Sequence, residues 1–235
     1  QGHPGEAQPR PLQLAKKIEA ADPVAVDGDQ GEIQPGVVIE QIDGFGVATG
    51  EEEIVARVHR ALKKDIPGLL TIIAPRHPDR GDAICDLLKI RGLNCARRTN
   101  LDAPSHTHDI YLADTIGELG LFYALAPVAF VGGSLVPHGG QNPLEASAWK
   151  LPVLFGPHMN NFRDISQKLV EAGGAIPVTG GEGLTDAVSR LLGNEEERRK
   201  TGAAGFDTIL QNRGALHKTV EAIEELFENA PGGKV

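Results

Sequence analysis

The sequence has few of the residues that a disulfide framework or a zinc site requires. Only two cysteines, Cys85 and Cys95, occur among 235 residues, and no cluster of cysteine and histidine accompanies them. The two also lack the close spacing of a redox pair, and Cys85 lies on the apolar face of a predicted helix. We therefore expect a protein of a reducing compartment, two structural cysteines and no metal site.

Basic residues and long apolar runs are also scarce. The 23 Lys and Arg residues are outnumbered by 32 Asp and Glu, which gives a net charge of -9. This balance argues against nucleic acid as a partner, because phosphate neutralisation needs clustered basic side chains. No apolar run approaches the ~18 residues of a membrane span. Residues 1–4 do not show the basic and apolar pattern of a signal peptide, so we expect the chain itself to be soluble.

What the sequence does have is a regular alternation of short apolar runs and amphipathic stretches. This alternation predicts an α/β fold with a parallel sheet covered by helices on both faces. The predicted strands lie at 69–74, 93–97, 109–113, 128–131, 152–155 and 175–178. The predicted helices lie at 52–63, 79–91, 115–124, 143–149, 162–172, 184–192, 195–204 and 215–227.

The two ends of the chain differ from this regular region. Residues 1–50 are predicted to be a divergent or partly disordered segment, in which 11–18 could form a helix and 36–42 a strand. Residues 51–228 are predicted to form the folded domain, and 229–235 a flexible tail.

A glycine-rich loop after the strand at 128–131 is the strongest local motif. Its backbone could approach a ligand closely, and its free N–H groups and the following helix would favour a phosphate. Asn142 suits the N-cap of that helix, and Glu145 suits a capping box. In the alternative interpretation, the glycines form only a tight turn and Glu145 only a cap. The candidate ligand-binding residues here are Gly132, Gly133, Ser134, His138, Gly139, Gly140, Gln141, Asn142 and Glu145.

Three other loops follow predicted strands and therefore share the same edge of a parallel sheet. One loop carries His158 and Asn161. Another carries His77 and Arg76, and the guanidinium of Arg76 could pair with a phosphate. The third loop, 113–120, could contact a flat base through Ile116 and Gly117. Each loop has a plainer alternative, namely a simple connection or a surface arginine. For the third loop, Asp114 or Thr115 would be an ordinary helix N-cap.

Read in order, these loops resemble the C-terminal half of the bacterial 3-deoxy-D-manno-octulosonic acid (Kdo) transferases. The resemblance covers residues 50 to 228, and the run 130–145 is its most specific part. The matching stretches are 75–78, 114–120, 130–145 and 156–158 with 161–162. It implies a Rossmann-like domain of a GT-B glycosyltransferase, which moves Kdo from CMP-Kdo to a lipid A precursor with inversion and without a metal or other cofactor.

The resemblance also implies roles for individual residues. Arg76, beside His77, and the helix that starts at Asn142 would hold the phosphate of CMP-Kdo. Glu145 would bind the ribose hydroxyls or cap that loop. The segment 114–118, including Thr115, would contact cytosine, and His158 with Asn161 would line the Kdo side. The general base, the acceptor site and the membrane anchor would belong to the N-terminal GT-B domain, so catalytic residues in this chain are unknown.

Two features depart from the family pattern. The family carries a Ser/Thr-His pair shortly before its Gly-Glu-Glu, whereas Ala48 and Thr49 precede Gly50 here. Residues 1–47 also do not resemble the family's interdomain crossing and first strand. We expect the isolated chain to lack turnover. The resemblance implies that the enzyme acts at the cytoplasmic face of the bacterial inner membrane. The alternatives are a non-catalytic nucleotide-binding fragment and another nucleotide-sugar enzyme such as an epimerase.

Overall fold

The structure is a computed structural model that describes residues 34–42 and 50–228. Seven strands and seven α-helices alternate along these residues, and two short 3₁₀ turns join them. The strands are β1 (Gln34–Ile42), β2 (Leu69–Pro75), β3 (Cys95–Arg97), β4 (Ile110–Leu112), β5 (Ala129–Val131), β6 (Val153–Phe155) and β7 (Ala175–Pro177). The helices are α1 (Glu51–Leu62), α2 (Gly81–Ile90), α3 (Leu119–Leu125), α4 (Leu144–Ser147), α5 (Arg163–Glu171), α6 (Gly180–Gly193) and α7 (Glu195–Glu228).

The strands form one sheet in the order β3-β4-β2-β1-β5-β6-β7, and every neighbouring pair is parallel. The chain first adds β2, β3 and β4 on one side of β1. It then returns to the middle of the sheet and adds β5, β6 and β7 on the other side. The carboxyl ends of the strands on both sides of β1 therefore meet at one edge, where ligands bind in open α/β sheets. The predicted fold class is confirmed.

Alternate residues of β1 fill two separate cores, one on each face of the sheet. Val37 and Ile39 pack with α1, α2 and α6. Val38 packs on the opposite face with α3 and α5. All three side chains are buried because both faces of a parallel sheet are covered by helices. These helices place their apolar residues on one face, and that face packs into one of these two cores.

The N-terminal part of the chain contributes more to the fold than the sequence indicated. The strand predicted at 36–42 exists, and it lies in the middle of the sheet between β2 and β5. The sheet therefore includes residues 34–42, which lie before residue 51, the predicted start of the folded domain. Residues 1–47 do not resemble the first strand of the family in sequence, yet they contain β1. The predicted helix 11–18, the site of the absent histidine near 48–49 and the tail 229–235 lie outside the described residues.

Four predicted helices differ from those observed. The helix expected at 115–124 begins only at Leu119, because residues 115–118 form a loop. The helix expected at 143–149 is only four residues long, Leu144–Ser147. The two helices expected at 195–204 and 215–227 are one continuous helix, α7. Other boundaries agree with the structure to within a few residues.

Candidate functional site

Two of the four predicted loops enclose a cavity at the carboxyl edge of the sheet. The loop after β2 supplies Arg76 and His77, and the loop after β4 supplies Thr115, Ile116 and Gly117. The cavity has a volume of about 360 Å³, and Phe122 and Leu119 close its apolar side. The structure therefore brings together the residues that were expected to hold a phosphate and a flat base.

Ile116 is held at the mouth of this cavity by a network beneath it. Both carboxylate oxygens of Glu118 accept hydrogen bonds from Arg98, at 2.8 and 3.0 Å, and the Thr115 hydroxyl donates to Glu118 at 2.6 Å. These bonds hold the pKa of Glu118 at about 2, well below its usual range. Ile116 projects outward with 88% of its surface exposed, which gives the loop a large apolar face toward solvent.

Asp114 anchors the start of the same loop. Its carboxylate accepts hydrogen bonds from the backbone N–H and the hydroxyl of Thr99, and it forms an ion pair with Arg97 at 2.8 Å. Burial acts to raise the pKa of Asp114, but these donors outweigh it and the pKa is lowered. Neither Asp114 nor Thr115 is the N-cap of α3, so the plainer alternative for this loop is wrong.

Arg76 connects this cavity with the glycine-rich loop after β5. Its Nη1 donates to the amide oxygen of Gln141 at 2.5 Å, and Gln141 is buried. Because β1 lies between β2 and β5, this bond spans the carboxyl end of the central strand. The guanidinium, itself exposed, lies where two loops from opposite halves of the sheet meet.

The N–H groups at the start of the glycine-rich loop bind a side chain of the protein. The buried carboxylate of Glu51 accepts hydrogen bonds from the backbone N–H groups of Gly133, Ser134 and Leu135, at 2.5, 2.9 and 2.7 Å. Burial raises the pKa of Glu51, and these three hydrogen bonds oppose that shift. The expectation that these N–H groups are free to bind a phosphate is therefore wrong.

Ser134 is likewise a structural residue. It is fully buried, and its hydroxyl donates to the carbonyl of Val131 while accepting from the N–H of Gly156 at 2.8 Å. The hydroxyl thus ties the loop after β5 to the loop after β6. No part of the Ser134 side chain is exposed to a ligand, so its predicted role in donor binding does not fit the structure.

The loop after β6 packs directly against the glycine-rich loop, as predicted from the strand order. The N–H of His158 donates to the carbonyl of Ser134, and the N–H of Asn161 donates to the carbonyl of Gly139, both at 3.0 Å. Gly139 has φ +102°, and a Cβ there would lie 2.5 Å from the Asn161 side-chain nitrogen. This close approach explains why the position needs glycine.

The helix after the glycine-rich loop offers less to an anion than expected. The N-cap position is occupied by Pro143, and the side-chain oxygen of Asn142, one residue earlier, accepts the N–H of Leu144 at 3.1 Å. However, α4 has only four residues, and an aligned dipole needs a longer helix. Glu145 is exposed, and no capping-box hydrogen bond from it occurs among the described residues.

The remaining predicted residues surround these loops. His138 is exposed and His158 half-buried, whereas Gly132, Gly133 and Gly140 are buried in the backbone of the loop. Among the described residues of these loops, the exposed polar groups include a guanidinium, imidazoles, an amide and a carboxylate, which suit a ligand that carries both a phosphate and hydroxyls. They are Arg76, His77, His138, Glu145 and Asn161.

Comparison with known proteins gives a consistent result. No protein-family profile matches the chain. It is 42% identical over 180 residues to the 3-deoxy-D-manno-octulosonic acid transferase of Haemophilus influenzae, which covers 76% of this chain and 42% of that protein. Over this stretch the chain is similar to the Kdo transferases. A second member, from Bordetella pertussis, is 36% identical over 170 residues, which cover 72% of this chain and 39% of the relative.

A solved structure identifies the part of the Kdo transferases that this chain matches. The C-terminal CMP-Kdo binding domain of WaaA from Acinetobacter baumannii is 26% identical, with a TM-score of 0.70. The match covers 85% of this chain and 95% of that domain. The chain thus matches less than half the length of these Kdo transferase relatives, in their C-terminal part. Within the described residues, no helix is both long and apolar enough to cross a membrane.

Glu51 is the residue of this edge that the sequence did not reveal. It stands first in a run of three acidic residues at the start of α1, a pattern typical of an exposed helix terminus. Glu53 is half-buried in the structure, and Glu51 and Glu52 are buried. The distance of 82 positions between Glu51 and Gly133 hides the contact, and no local signal could have shown it.

Proposed function

We propose that this chain is the donor-binding half of an inverting glycosyltransferase that transfers Kdo from CMP-Kdo to a lipid A precursor. The similarity to the Kdo transferases and the CMP-Kdo binding domain with the same fold support this proposal. The observation that carries it is the position of Arg76, which borders the cavity and bonds to the glycine-rich loop. A cation at that junction suits the phosphate that links a nucleotide to a sugar.

On this proposal Arg76 is the main phosphate ligand. The N–H groups of residues 133–135 are already bound by Glu51, and α4 is too short for a strong dipole. The guanidinium is therefore the strongest positive group of the described loops at this edge. Its bond to the buried Gln141 positions the guanidinium at the carboxyl edge of the sheet, and a guanidinium can bind two oxygens of one phosphate.

The base and the sugar then lie on opposite sides of Arg76. Cytosine would lie against the exposed side chain of Ile116 and the backbone of Gly117, in the cavity that Phe122 closes. Glu145 would bind the ribose hydroxyls. His138, His158 and Asn161, which lie on the two packed loops, would line the Kdo side.

The reaction needs one contribution from this chain and one from elsewhere. As the glycosidic bond breaks, negative charge develops on the phosphate of CMP, and Arg76 would stabilise it. The acceptor hydroxyl must lose a proton, and we assign that role to none of the described residues of this edge. We propose that the general base, the acceptor site and the contact with the inner membrane belong to the N-terminal domain of the GT-B enzyme, and that no metal takes part.

Calorimetric titration of the purified chain with CMP, and with UMP as the comparison, tests the proposal. CMP should bind more tightly than UMP. Arg76→Ala should weaken CMP binding about 10- to 100-fold, the usual value of a charge-assisted pair. Arg60→Ala is the matched control, since Arg60 is an exposed arginine near the other end of α1, and it should leave the affinity unchanged.

Other outcomes separate the alternatives. Tighter binding of UMP would contradict the Kdo assignment and favour another nucleotide-sugar enzyme. A second candidate is a fragment that binds nucleotide but does not catalyse transfer, which agrees with the absence of an assigned base. Addition of a complete N-terminal domain should restore transfer of Kdo if the first proposal is correct, and not if the fragment is non-catalytic.

A further inference from the structure

The two cysteines, which are far apart for a redox motif in the sequence, are in contact in the structure. Cys85 lies in the middle of α2, and Cys95 is the first residue of the edge strand β3. Their sulfur atoms are 2.6 Å apart, a little beyond the ~2.05 Å of a disulfide bond. The turn between α2 and β3 folds the strand back along the helix, which brings the two side chains together.

The elements that carry the cysteines are fixed to each other on both sides of the pair. Arg97, two residues after Cys95, forms ion pairs with Asp82 in the first turn of α2 and with the buried Asp114. On the other side, the N–H of Leu93 donates to the carbonyl of Leu88 at 3.0 Å, and both of these side chains are buried. Formation of a bond between the sulfurs therefore needs no movement of α2 relative to β3.

Accessibility and charge also suit a reaction at this position. Both cysteines are half-buried, so a small oxidant can reach them. The hydrogen bond from Cys95 and the charge of Arg97 lower the pKa of the Cys85 thiol, although burial and the carboxylates of Asp114 and Asp82 oppose this. The contact with Cys85, together with burial, raises the pKa of Cys95. Cys85 is thus the thiol that ionises first and attacks.

We propose that Cys85 and Cys95 are a reversible oxidation site, which forms an intramolecular disulfide between α2 and β3 when the protein meets a hydroperoxide. The Cys85 thiolate attacks the peroxide oxygen, which gives a sulfenic acid and releases water after protonation. The Cys95 sulfur then displaces the sulfenic oxygen as a second water. The two thiols lose two electrons and two protons in total, and hydrogen peroxide becomes two waters.

The test uses the reduced 235-residue chain treated with hydrogen peroxide. The chain has two cysteines, so an intramolecular disulfide can join only this pair. Free thiols should fall from two per chain to none, with a mass loss of about 2 Da and no dimer on a non-reducing gel. Dithiothreitol should restore both thiols. The oxidised chain should unfold at a temperature about 5 °C higher, because the bond restricts the unfolded chain.

A comparison of the folded and the unfolded chain separates placement by the fold from the ten-residue spacing of the cysteines, and two variants identify the cysteine that attacks. The folded chain should form the disulfide at least about tenfold faster than the same chain in urea, because the fold holds the sulfurs in contact. In Cys95→Ser, dimedone should trap a sulfenic acid on Cys85. In Cys85→Ser, the remaining Cys95 should react with hydrogen peroxide about tenfold more slowly than Cys85 does in Cys95→Ser.

Three results would overturn the proposal. One is that both thiols survive peroxide in the folded chain. Another is that only intermolecular dimers form. The third is an equal rate of disulfide formation in the folded and the unfolded chain. None of these results depends on nucleotide binding, so failure here is distinguishable from failure of the proposed transferase function.

Discussion

The carboxylate of Glu51 is bound to the backbone of Ser134, 83 residues later in the chain, at a distance of 2.9 Å. This contact fixes the first helix of the described domain to the loop that follows β5. It also removes from the edge of the sheet three N–H groups that an anion would otherwise bind. The glycine-rich loop is therefore shaped by an acidic side chain of the protein.

The first prediction concerns the stability that this carboxylate provides. Glu51→Ala leaves three backbone donors without an acceptor in a buried place, so we expect a loss of about 3 kcal/mol or more in the free energy of unfolding. Glu51→Gln keeps one acceptor oxygen and should cost less. Urea denaturation measures both changes. Glu53→Ala is the control, because its ion pair with Arg91 lies near the surface and should contribute less than about 1 kcal/mol.

The second prediction concerns pH. His59 is buried, with Nδ1 2.9 Å from the Thr71 hydroxyl, and burial lowers its pKa to about 4 against 6.5 in the unfolded chain. Between these pH values the unfolded state binds more protons than the folded state. The free energy of unfolding therefore has its full value above pH ~6.5 and decreases as the pH falls toward 4. The loss amounts to about 3 kcal/mol.

The measurement for His59 is the free energy of unfolding at several pH values in this range. In His59→Asn the stability should depend less steeply on pH than in the parent chain. His106→Asn changes an exposed histidine and should preserve the parent slope. Parallel pH curves for the parent and His59→Asn would contradict the assignment.

The third prediction concerns the packing of the two loops beside each other. A Cβ at Gly156 would lie 2.2 Å from the carbonyl oxygen of Ser134, and this backbone atom cannot move aside easily. Gly156→Ala should therefore cost about 1–3 kcal/mol and weaken CMP binding. Gly193→Ala, in α6, meets no atom within 4 Å. It should leave stability equal or slightly higher, since alanine favours a helix.

The fourth prediction concerns the exposed apolar face at the cavity. Ile116→Ser removes a side chain that packs against little of the protein, so the thermal midpoint should stay the same. CMP binding should weaken several-fold if the base lies on this face. Ile90→Ser is the matched control, because Ile90 is 81% exposed on α2, away from the cavity. A loss of CMP affinity in Ile90→Ser equal to that in Ile116→Ser would rule out a specific contact.

Much of the architecture was predictable because most strands lie in short apolar runs that are separated by amphipathic helices. The continuity of α7 was not. The two helices predicted at 195–204 and 215–227 leave a gap that begins at Gly205, whereas α7 continues through it. Gly202 and Gly205 both permit close packing within α7. A Cβ at Gly202 would lie 1.8 Å from the carbonyl of Lys150, and Gly205 lies against Gly174. A glycine that accommodates a neighbouring backbone cannot be distinguished by sequence from one that ends a helix.

The candidate site was predictable as an edge of the sheet, but not in its internal connections. The alternating pattern implies parallel strands whose carboxyl ends share one edge, so Arg76 and Ile116 could be assigned to that edge. The bonds of Asp114 to Thr99 and of Glu51 to the loop after β5 depend on tertiary approach. Both carboxylates also have a plausible local role as helix caps, which conceals their true partners.

The position of β1 has a consequence for any shortened form of the protein. β2 and β5 form no ladder with each other, and each is bonded to β1. Without residues 34–42 the sheet would separate into two three-stranded halves, each with an unpaired edge. The bond from Arg76 to Gln141 joins these halves, as does the clustering of the loops around it. A chain that starts at the regular pattern near residue 51 would therefore lose both its core and the junction at which a nucleotide could bind.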